Sequence, residues 1–507
     1  MQAAQSKSGM VVAGLLLAIL MASMDNTIVA TAMGTIVGEL GGLDKFVWVT
    51  SAYMVAEMAG MPIFGKLSDM YGRKRFFVFG MIMFMLGSAL CGTAGSIIEL
   101  SIYRAIQGIG GGALVPIAFT IMFDAVPPEK RGKLMGLFGA VFGMSSIFGP
   151  LLGAYLTDYI KWQWIFYINL PLGLIAFLLV ASAYKESLEH SKQRIDWAGA
   201  STLVGAVVCL MFAMELGGKF YAWGSPQILG LFAGFAILAV LFVIAETRAE
   251  EPIIAFRMFR NRLYASSNAV AILSGAAFIA ASVYIPIFIQ GVLGGSATNS
   301  GFVLLPMMLG TVVTATGGGF VMSRMSYRSI MISTLILLVA GLGLLTTLTP
   351  DSSRLVVTLY MILVGLGIGA SFSVLANAAT HSLSIRERGA GMATLNFLRS
   401  MGMTLGITVF GILQSHSMTR KLTESFMGGD LPQNLDFSDP HVLLAPATRA
   451  QIPEGTLHTI TGGLSSSIAD TFAWGIIPAI LAVAAAFLMS REKMDPKAES
   501  EKYAAAH

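Results

Sequence analysis

Long apolar runs separated by short polar connections are the dominant pattern of this chain. A helix that crosses a bilayer needs about 20 mostly apolar residues, and fourteen runs of this kind can be counted along the sequence. The pattern predicts an all-α polytopic membrane protein with fourteen transmembrane helices. The predicted spans lie near residues 9–33, 46–65, 76–97, 100–123, 133–156, 163–184, 197–216, 226–245, 264–290, 299–322, 329–348, 355–380, 389–413 and 469–490.

The overall composition supports this interpretation. The 507 residues are 55% hydrophobic and only 12% charged, whereas soluble domains carry about 25% charged residues. This deficit excludes a soluble globular enzyme, and the high hydrophobic content excludes a disordered scaffold. The 56 glycines fit a membrane bundle, because small residues let membrane helices approach closely.

The positions of the basic residues predict the orientation. If both termini are cytoplasmic, the connections on the cytoplasmic side hold 23 of the 32 lysines and arginines. The connections on the outer side hold seven, and two arginines lie within spans. Since lysine and arginine are enriched in cytoplasmic connections, both termini are expected in the cytoplasm.

One turn and a weaker second copy of it suggest an internal division. Residues 65–75 combine glycines at both ends with a basic run, and Asp69 can accept hydrogen bonds from backbone donors at a helix end. Residues 319–328 could be the same turn in decayed form. The predicted division is therefore a six-helix bundle over 1–190, two inserted helices over 191–255 and a second six-helix bundle over 256–507. A long polar loop is predicted at about 414–468, on the outer side, as a tether, a lid or a partner surface.

Four further segments stand out beside the turn at 65–75: Arg104–Gly112, Gly143–Gly153, Met24–Val29 and Trp162–Pro171. Together the five segments resemble the major facilitator superfamily, and in particular its fourteen-span drug:proton antiporters. The turn resembles the signature loop of the superfamily, and the four segments are similar, in the order given, to its arginine-bearing, antiporter, acidic and branch-specific motifs.

This resemblance implies a multi-pass protein of the bacterial cytoplasmic membrane. It would be a proton-coupled antiporter that exports lipophilic and cationic drugs by alternating access between the two bundles. The implied partners are small-molecule drugs, protons and the lipid bilayer, with no nucleic acid and no cofactor other than the proton gradient. Two alternatives stay open: a specific exporter or flippase of an endogenous metabolite or lipid, and an assembly role in which the long loop docks an envelope adaptor.

Four ionisable residues are predicted to lie at depth in the membrane: Asp25, Glu57, Arg104 and Arg399. Such a residue is costly in a bilayer and calls for a partner or a function. Burial disfavours the charged form of a carboxyl, which suits a proton carrier. The resemblance assigns proton coupling to Asp25, with Arg104 as its switchable partner, whereas Glu57 is a candidate for binding cationic substrate. The alternatives are a carboxyl that fixes packing and, for Arg104, an arginine that binds backbone carbonyls.

Further residues are candidates for lining the substrate cavity. Gln107 lies one turn from Arg104, and Asn396 shares a helix face with Arg399, which could neutralise an acid, repel a cation or form a packing ion pair. Tyr53 and Phe148 are guesses among the aromatic residues, since adaptable methionine and aromatic surfaces suit loosely specified ligands.

The resemblance also implies residues that control the conformational change. In the turn these are Gly65, Asp69, Gly72 and Arg73. In the fifth span they are Gly143, Gly149, Pro150 and Gly153, which the resemblance interprets as a seal and which ordinary helix packing also explains.

Enzymatic and metal-dependent functions lack support in the sequence. There is no phosphate-binding loop of the GxxxxGK[ST] type, and the six histidines show no metal-ligand spacing. We therefore expect a secondary transporter without a metal site.

Overall fold

Apolar helices form almost the whole structure, which is a computed structural model describing residues 2–41, 47–126, 128–185, 195–218, 220–295, 297–425 and 453–494. Short 3-10 helices at Phe256–Arg260 and Ile385–Glu387 lie in connections between α-helices. A π-helical turn at Phe288–Val292 directly follows the α-helix that ends at Ile287. The helices, numbered here in chain order, are α1 Gln2–Leu40, α2 Val47–Tyr71, α3 Arg73–Cys91, α4 Ile97–Ala125, α5 Pro128–Tyr159, α6 Trp164–Tyr167, α7 Asn169–Ala183, α8 Trp197–Leu216, α9 Pro226–Arg248, α10 Arg262–Ile287, α11 Ala297–Val321, α12 Tyr327–Leu345, α13 Arg354–Thr380, α14 Arg388–Ser425 and α15 Glu454–Phe487.

Most of these helices can cross a bilayer. In the described part of the chain, twelve helical segments are long and apolar enough to do so. Helices α2 and α5 have 25 and 32 residues, and at about 1.5 Å per residue both exceed the roughly 30 Å of a hydrocarbon core. The predicted all-helical, multi-span protein is confirmed, and the number of fourteen spans stays a prediction.

Helix contacts define the groups used below. Helices α1–α7, the N-terminal half, pack together chiefly through α1 with α5 and α7, and through α4 with α2 and α3. Helices α10–α15, the C-terminal half, pack through α10 with α14 and α15, and through α13 with α11 and α12. The two halves meet along α2 with α14 and along α5 with α11.

Helices α8 and α9 pack against each other, and α8 also contacts α2 and α14. Only 11% of the most apolar stretch of α9 is buried, and its side chains Ile237 and Val240 are each 60% exposed. A helix this apolar and this exposed fits a lipid environment.

The predicted loop at 414–468 is wrong at both of its ends, because α14 continues to Ser425 and α15 begins at Glu454. The two extensions pack through the buried side chains Met418, Leu422, Ile460 and Leu464. Pairing of two helices, rather than a bilayer, supplies the apolar contact that makes this segment helical. Residues 426–452 lie outside the described residues.

The helices have two chemically different ends. The end at which α2 finishes and α3 and α14 begin carries Lys66, Arg73, Lys74, Arg75 and Arg386. We call it the basic end and use it as the reference for position along the helices.

Candidate functional site

A network of polar side chains lies fully buried between α1, α3, α4 and α7. Asp25 Oδ1 accepts hydrogen bonds from Gln107 Nε2 at 2.7 Å and Asn169 Nδ2 at 2.9 Å. Asp25 Oδ2 forms an ion pair with Arg104 Nη1. The same two amide groups donate to Ser88 Oγ, at 2.7 and 3.2 Å. The Asp25 side chain therefore contacts one cation and two neutral donors.

Arg104 is held by further contacts. Its guanidinium donates to Gln107 Oε1 at 2.7 Å, to the carbonyl of Val49 at 3.3 Å and to Asn26 Oδ1 at 3.2 Å. The ring of Tyr53 lies 4.2 Å from the guanidinium carbon, within the range of a cation–π contact. A buried ion pair is stable only when additional hydrogen bonds satisfy its remaining donors and acceptors, and this network supplies them.

Glycines bring the helices of this network together. A Cβ added at Gly87 on α3 would lie 2.5 Å from the backbone nitrogen of Gln107. One added at Gly108 on α4 would overlap the carbonyl of Tyr53 on α2. Close helix approach at small residues therefore lets short polar side chains on different helices reach one another.

A cavity of about 360 Å³ lies between the two halves. Its walls are mainly methionine, phenylalanine and small aliphatic side chains, with scattered hydroxyl and amide groups. The N-terminal half contributes Ala22, Ser23, Asn26, Thr27, Met54, Glu57, Met58, Met61, Val115, Phe119 and Ser145, and the C-terminal half contributes Phe278, Ile279, Ser282, Met308, Thr311, Phe372, Asn396, Arg399, Ser400, Met403, Thr404 and Ile407.

Two ionisable side chains among the described residues line this cavity, one from each half. Glu57 lies on α2, and Arg399 lies on α14. Arg399 donates to the carbonyl of Ser371 at 3.0 Å and to Asn396 Oδ1 at 3.4 Å. Both acceptors are neutral, so the cavity presents a carboxyl and a guanidinium that are not paired with each other.

Asn26 connects the cavity with the buried network. It lines the cavity, and its Oδ1 accepts the hydrogen bond from Arg104 Nη2. A ligand in the cavity can therefore compete for a side chain that holds the partner of Asp25.

At the basic end, Asp69 on α2 binds the first residues of α14. Its Oδ1 accepts a hydrogen bond from the backbone of Gly389 at 3.0 Å, and its Oδ2 accepts one from Ala390 at 2.7 Å. Arg73 donates to Asp69 Oδ1 at 3.1 Å and also pairs with Asp124 at the end of α4. The prediction that Asp69 accepts hydrogen bonds from a helix end is confirmed, and the helix end belongs to the opposite half.

Close backbone approach supports this contact, which we call the basic-end latch. A Cβ added at Gly65 would overlap the Cβ of Ala393 on α14 and lie 3.0 Å from the carbonyl of Gly389. Gly72, between α2 and α3, has a φ of 114°, which favours glycine. An ion pair at 2.6 Å between Lys66 and Glu251 lies at the same end.

Two of the predicted gating residues allow α1 and α5 to cross closely. A Cβ added at Gly149 would overlap Thr27 Oγ1, and one added at Gly153 would lie 2.8 Å from the carbonyl of Ile28. Helix α5 continues through Pro150. The surroundings of Gly143 lie outside the described side chains.

The structure places the predicted substrate residues in three different environments. Glu57, Asn396 and Arg399 line the cavity. Tyr53 and Gln107 are fully buried in the Asp25 network rather than in the cavity wall. Phe148 is 48% exposed and is absent from the cavity wall.

Three residues of the network were not singled out by the sequence reasoning: Asn26, Ser88 and Asn169. Asn26 and Asn169 lie inside the two segments Met24–Val29 and Trp162–Pro171 that resemble family motifs. The available signal was a polar amide within an apolar run, where a buried polar group needs a hydrogen-bond partner.

Among the described residues, no group of three or more histidine, cysteine, aspartate or glutamate side chains could hold a metal ion.

Comparisons with known proteins point to transport. The family model described as Major Facilitator Superfamily matches residues 15–407. Multidrug resistance protein 3 of Bacillus subtilis (strain 168) is 53% identical over 99% of this chain and 99% of its own length. Multidrug transporter protein MdtP of the same organism is 36% identical over 99% of this chain and 97% of its own length.

Solved structures show the same fold at low identity. The proton:xylose symporter XylE, bound to 6-bromo-6-deoxy-D-glucose, aligns with a TM-score of 0.62 at 13% identity, over 99% of this chain and 100% of its own. The human organic anion transporter MFSD10 aligns with a TM-score of 0.58 at 15% identity, over 93% of this chain and 99% of its own.

Proposed function

Since this chain belongs to the Major Facilitator Superfamily, we propose that it is a proton-coupled antiporter that exports lipophilic and cationic drugs by alternating access. The chain is a multi-span membrane transporter and not an enzyme. The multidrug names of its two Bacillus relatives support drugs as the substrate class. The mainly apolar cavity wall, in which Glu57 is the one carboxyl among the described residues, is suited to lipophilic cations.

The proposed topology has fourteen spans with both termini in the cytoplasm. The twelve apolar segments together with α2 and α5 would supply these spans, with α6 and α7 acting as one. The basic end would then face the cytoplasm, in agreement with the excess of lysine and arginine in its connections. The bacterial relatives support the cytoplasmic membrane as the location.

Asp25 is the proposed proton carrier. As a carboxylate it accepts hydrogen bonds from Gln107 and Asn169 and pairs with Arg104. A proton on this carboxyl would remove its charge and turn one acceptor oxygen into a donor that faces other donors. Protonation therefore has to separate Asp25 from Arg104 or reorganise the network, which gives the two protonation states different structures.

The observation that carries the coupling proposal is the contact between Asn26 and Arg104. Asn26 lines the cavity and accepts a hydrogen bond from the arginine that pairs with Asp25. A drug that binds the Asn26 amide would remove one partner of Arg104 and thereby change the stability of the Asp25 ion pair. Drug and proton would then influence each other without sharing a carboxyl.

The basic-end latch is the proposed gate on the cytoplasmic side. Asp69 joins α2 to the first residues of α14, and Gly65 allows the two helices to touch. We infer that this arrangement is the state closed toward the cytoplasm. Export requires the latch to open, so that drug can enter the cavity from the inside.

The membrane potential is an adequate energy source, and the proposal includes no bound cofactor. At about 2.3 kcal/mol per charge per 100 mV, one proton that crosses roughly 150 mV releases about 3.5 kcal/mol. This free energy supports a concentration gradient of a few hundredfold for a neutral drug. An envelope adaptor stays a prediction, because residues 426–452 lie outside the described part of the chain.

Transport by purified protein in proteoliposomes under an imposed pH gradient tests the proposal. Asp25→Asn should abolish drug transport driven by the gradient while the protein still folds, because asparagine keeps the size of the side chain but cannot carry the proton. Glu424→Gln is the matched control, since Glu424 is an exposed carboxyl near the outer end of α14. Wild-type transport by Asp25→Asn, or an equal loss in the control, would overturn the assignment.

A further inference from the structure

Arg399 is a buried cation without an anionic partner among the described residues. It is 7% exposed. Its two hydrogen bonds go to neutral oxygens of Ser371 and Asn396, its Nε has no partner, and its guanidinium carbon lies 4.8 Å from the ring of Phe372. The guanidinium therefore retains unused donor capacity at the cavity wall.

Arg104, which is also buried at depth in the membrane, differs from Arg399 in having an anionic partner. Arg104 is paired with Asp25, as expected for a guanidinium that cannot lose its proton in the interior. Arg399 has no such partner and lines a cavity in which a ligand is expected to bind. An unpaired, desolvated guanidinium attracts a carboxylate and repels a second cation.

Glu57 supplies the opposite charge from the other half of the protein. It lines the cavity from α2 and forms no ion pair with Arg399. The rest of the cavity wall includes methionine and phenylalanine side chains, among them Met58 and Phe372. The cavity therefore combines one carboxyl, one guanidinium and an apolar body.

We propose that Arg399 is an anion subsite and that the cavity accepts amphiphilic drugs with a carboxylate as well as a cationic group. The carboxylate of such a zwitterion binds Arg399 on α14, and its cationic end lies toward Glu57 on α2. This inference rests on the proposed function and narrows its substrate class, because a purely cationic drug leaves Arg399 unpaired.

The two charges lie in different halves of the protein. A zwitterion held at both ends therefore bridges α2 and α14, the same two helices that the basic-end latch joins. Separation of the halves would weaken one of the two ionic contacts, which favours release of the drug.

Two fluorescent dyes that differ only by a methyl ester test the proposal. Rhodamine 110 carries a delocalised cation and a carboxylate, and rhodamine 123 is its methyl ester. Binding of each dye to the full-length protein in detergent is measured by fluorescence anisotropy. A carboxylate paired with a guanidinium should make the wild type bind rhodamine 110 about tenfold to a hundredfold more tightly than rhodamine 123.

Substitutions locate the effect. Arg399→Gln should remove the preference by weakening rhodamine 110, while rhodamine 123 binds at least as tightly as to the wild type, and Arg399→Lys should keep part of the preference. Glu57→Gln should weaken both dyes by similar factors, because both keep the cation. Undiminished binding of rhodamine 123 by the two Arg399 variants shows that they are folded. The wild type alone also tests the proposal, through its preference for rhodamine 110 over rhodamine 123.

The outcomes separate this inference from the proposed function. Equal binding of the two dyes by the wild type, or an equal loss of both in Arg399→Gln, overturns the anion subsite. If rhodamine 123 is exported under a pH gradient in that case, proton-coupled export stands without it. If neither dye is transported but rhodamine 110 binds in an Arg399-dependent way, the subsite stands and the proposed function fails.

Discussion

Substitution of Asp69 by asparagine is expected to open the basic-end latch. In the structure, the two carboxylate oxygens accept hydrogen bonds from the backbones of Gly389 and Ala390 at 3.0 and 2.7 Å, and Arg73 donates at 3.1 Å. Asparagine keeps one acceptor oxygen but turns an NH2 group toward another donor. It also removes the negative charge at the start of α14, where the helix dipole favours an anion.

The size of the effect follows from these contacts. A hydrogen bond to a charged group contributes roughly 1.5–3 kcal/mol, and a charge at a helix N-terminus adds roughly 0.3–1 kcal/mol. Loss of one bond and of the charge therefore destabilises the closed latch by about 2–4 kcal/mol. This change corresponds to a shift of about 30-fold to 1,000-fold in the equilibrium toward the open latch.

Double electron–electron resonance measures the opening directly. Spin labels at the exposed positions Arg75 and Arg386 report the distance between the two halves at the basic end. If the open state starts at about 0.1–10%, Asp69→Asn should raise it to at least several per cent and shift the distances to longer values.

The control changes a charge at the same end without touching the latch. Glu251→Gln breaks the ion pair with Lys66. The side chain of Glu251 is 29% exposed, and that of Lys66 is 17% exposed. Both side chains keep contact with solvent, and an ion pair near the surface contributes about 1 kcal/mol or less, so this variant should shift the equilibrium by about fivefold or less. A distance distribution in Asp69→Asn that matches the wild type, or an equally large shift in Glu251→Gln, would refute the reasoning.

Three further substitutions test the packing and the coupling. Gly153→Ala should lower the free energy of unfolding by about 1–3 kcal/mol, which a lower melting temperature in detergent would show. Gly38→Ala is the control and should leave the melting temperature unchanged, because the space around the added Cβ is open. Tyr53→Phe should transport normally, because the hydroxyl has no hydrogen-bond partner among the described residues. Tyr53→Leu should lose several-fold in pH-driven transport, because the ring contact with Arg104 is worth about 0.5–2 kcal/mol. Asn26→Ala should bind drug but release fewer protons on binding, measured with a pH-sensitive dye in weakly buffered detergent, and unchanged proton release would contradict the coupling contact.

The features that hydropathy and charge determine could be predicted from the sequence. The helical membrane class follows from apolar runs, and Asp69 could be assigned to a helix end because a short carboxyl beside glycines in a turn suits backbone donors. Asp25 and Arg104 stood out because ionisable residues are rare in a membrane, and the structure brings them together. In each case the signal was a residue type that is costly unless it has a partner.

The rotation of each helix could not be predicted in the same way. On a membrane helix both the lipid-facing and the buried side are apolar, so periodicity carries little information about direction. For this reason the predictions for two aromatic residues of the cavity are wrong. Phe148 is exposed at the surface, and Tyr53 packs over Arg104 rather than lining the cavity. The helical extensions up to Ser425 and from Glu454 were missed because helix pairing, rather than hydropathy, stabilises them.

The position of the proposed proton carrier has a consequence for coupling. Asp25 is fully buried within the N-terminal half and does not line the cavity, whereas Glu57 and Arg399 do. A transporter in which drug and proton compete for one carboxyl favours cations, because a cation stabilises the carboxylate more strongly than a neutral molecule does. Here the link through Asn26 acts on Arg104 by a hydrogen bond, which a neutral drug can also disturb. If export is proton-driven as proposed, the charge of the drug should therefore set its affinity for the cavity more than its ability to drive proton exchange.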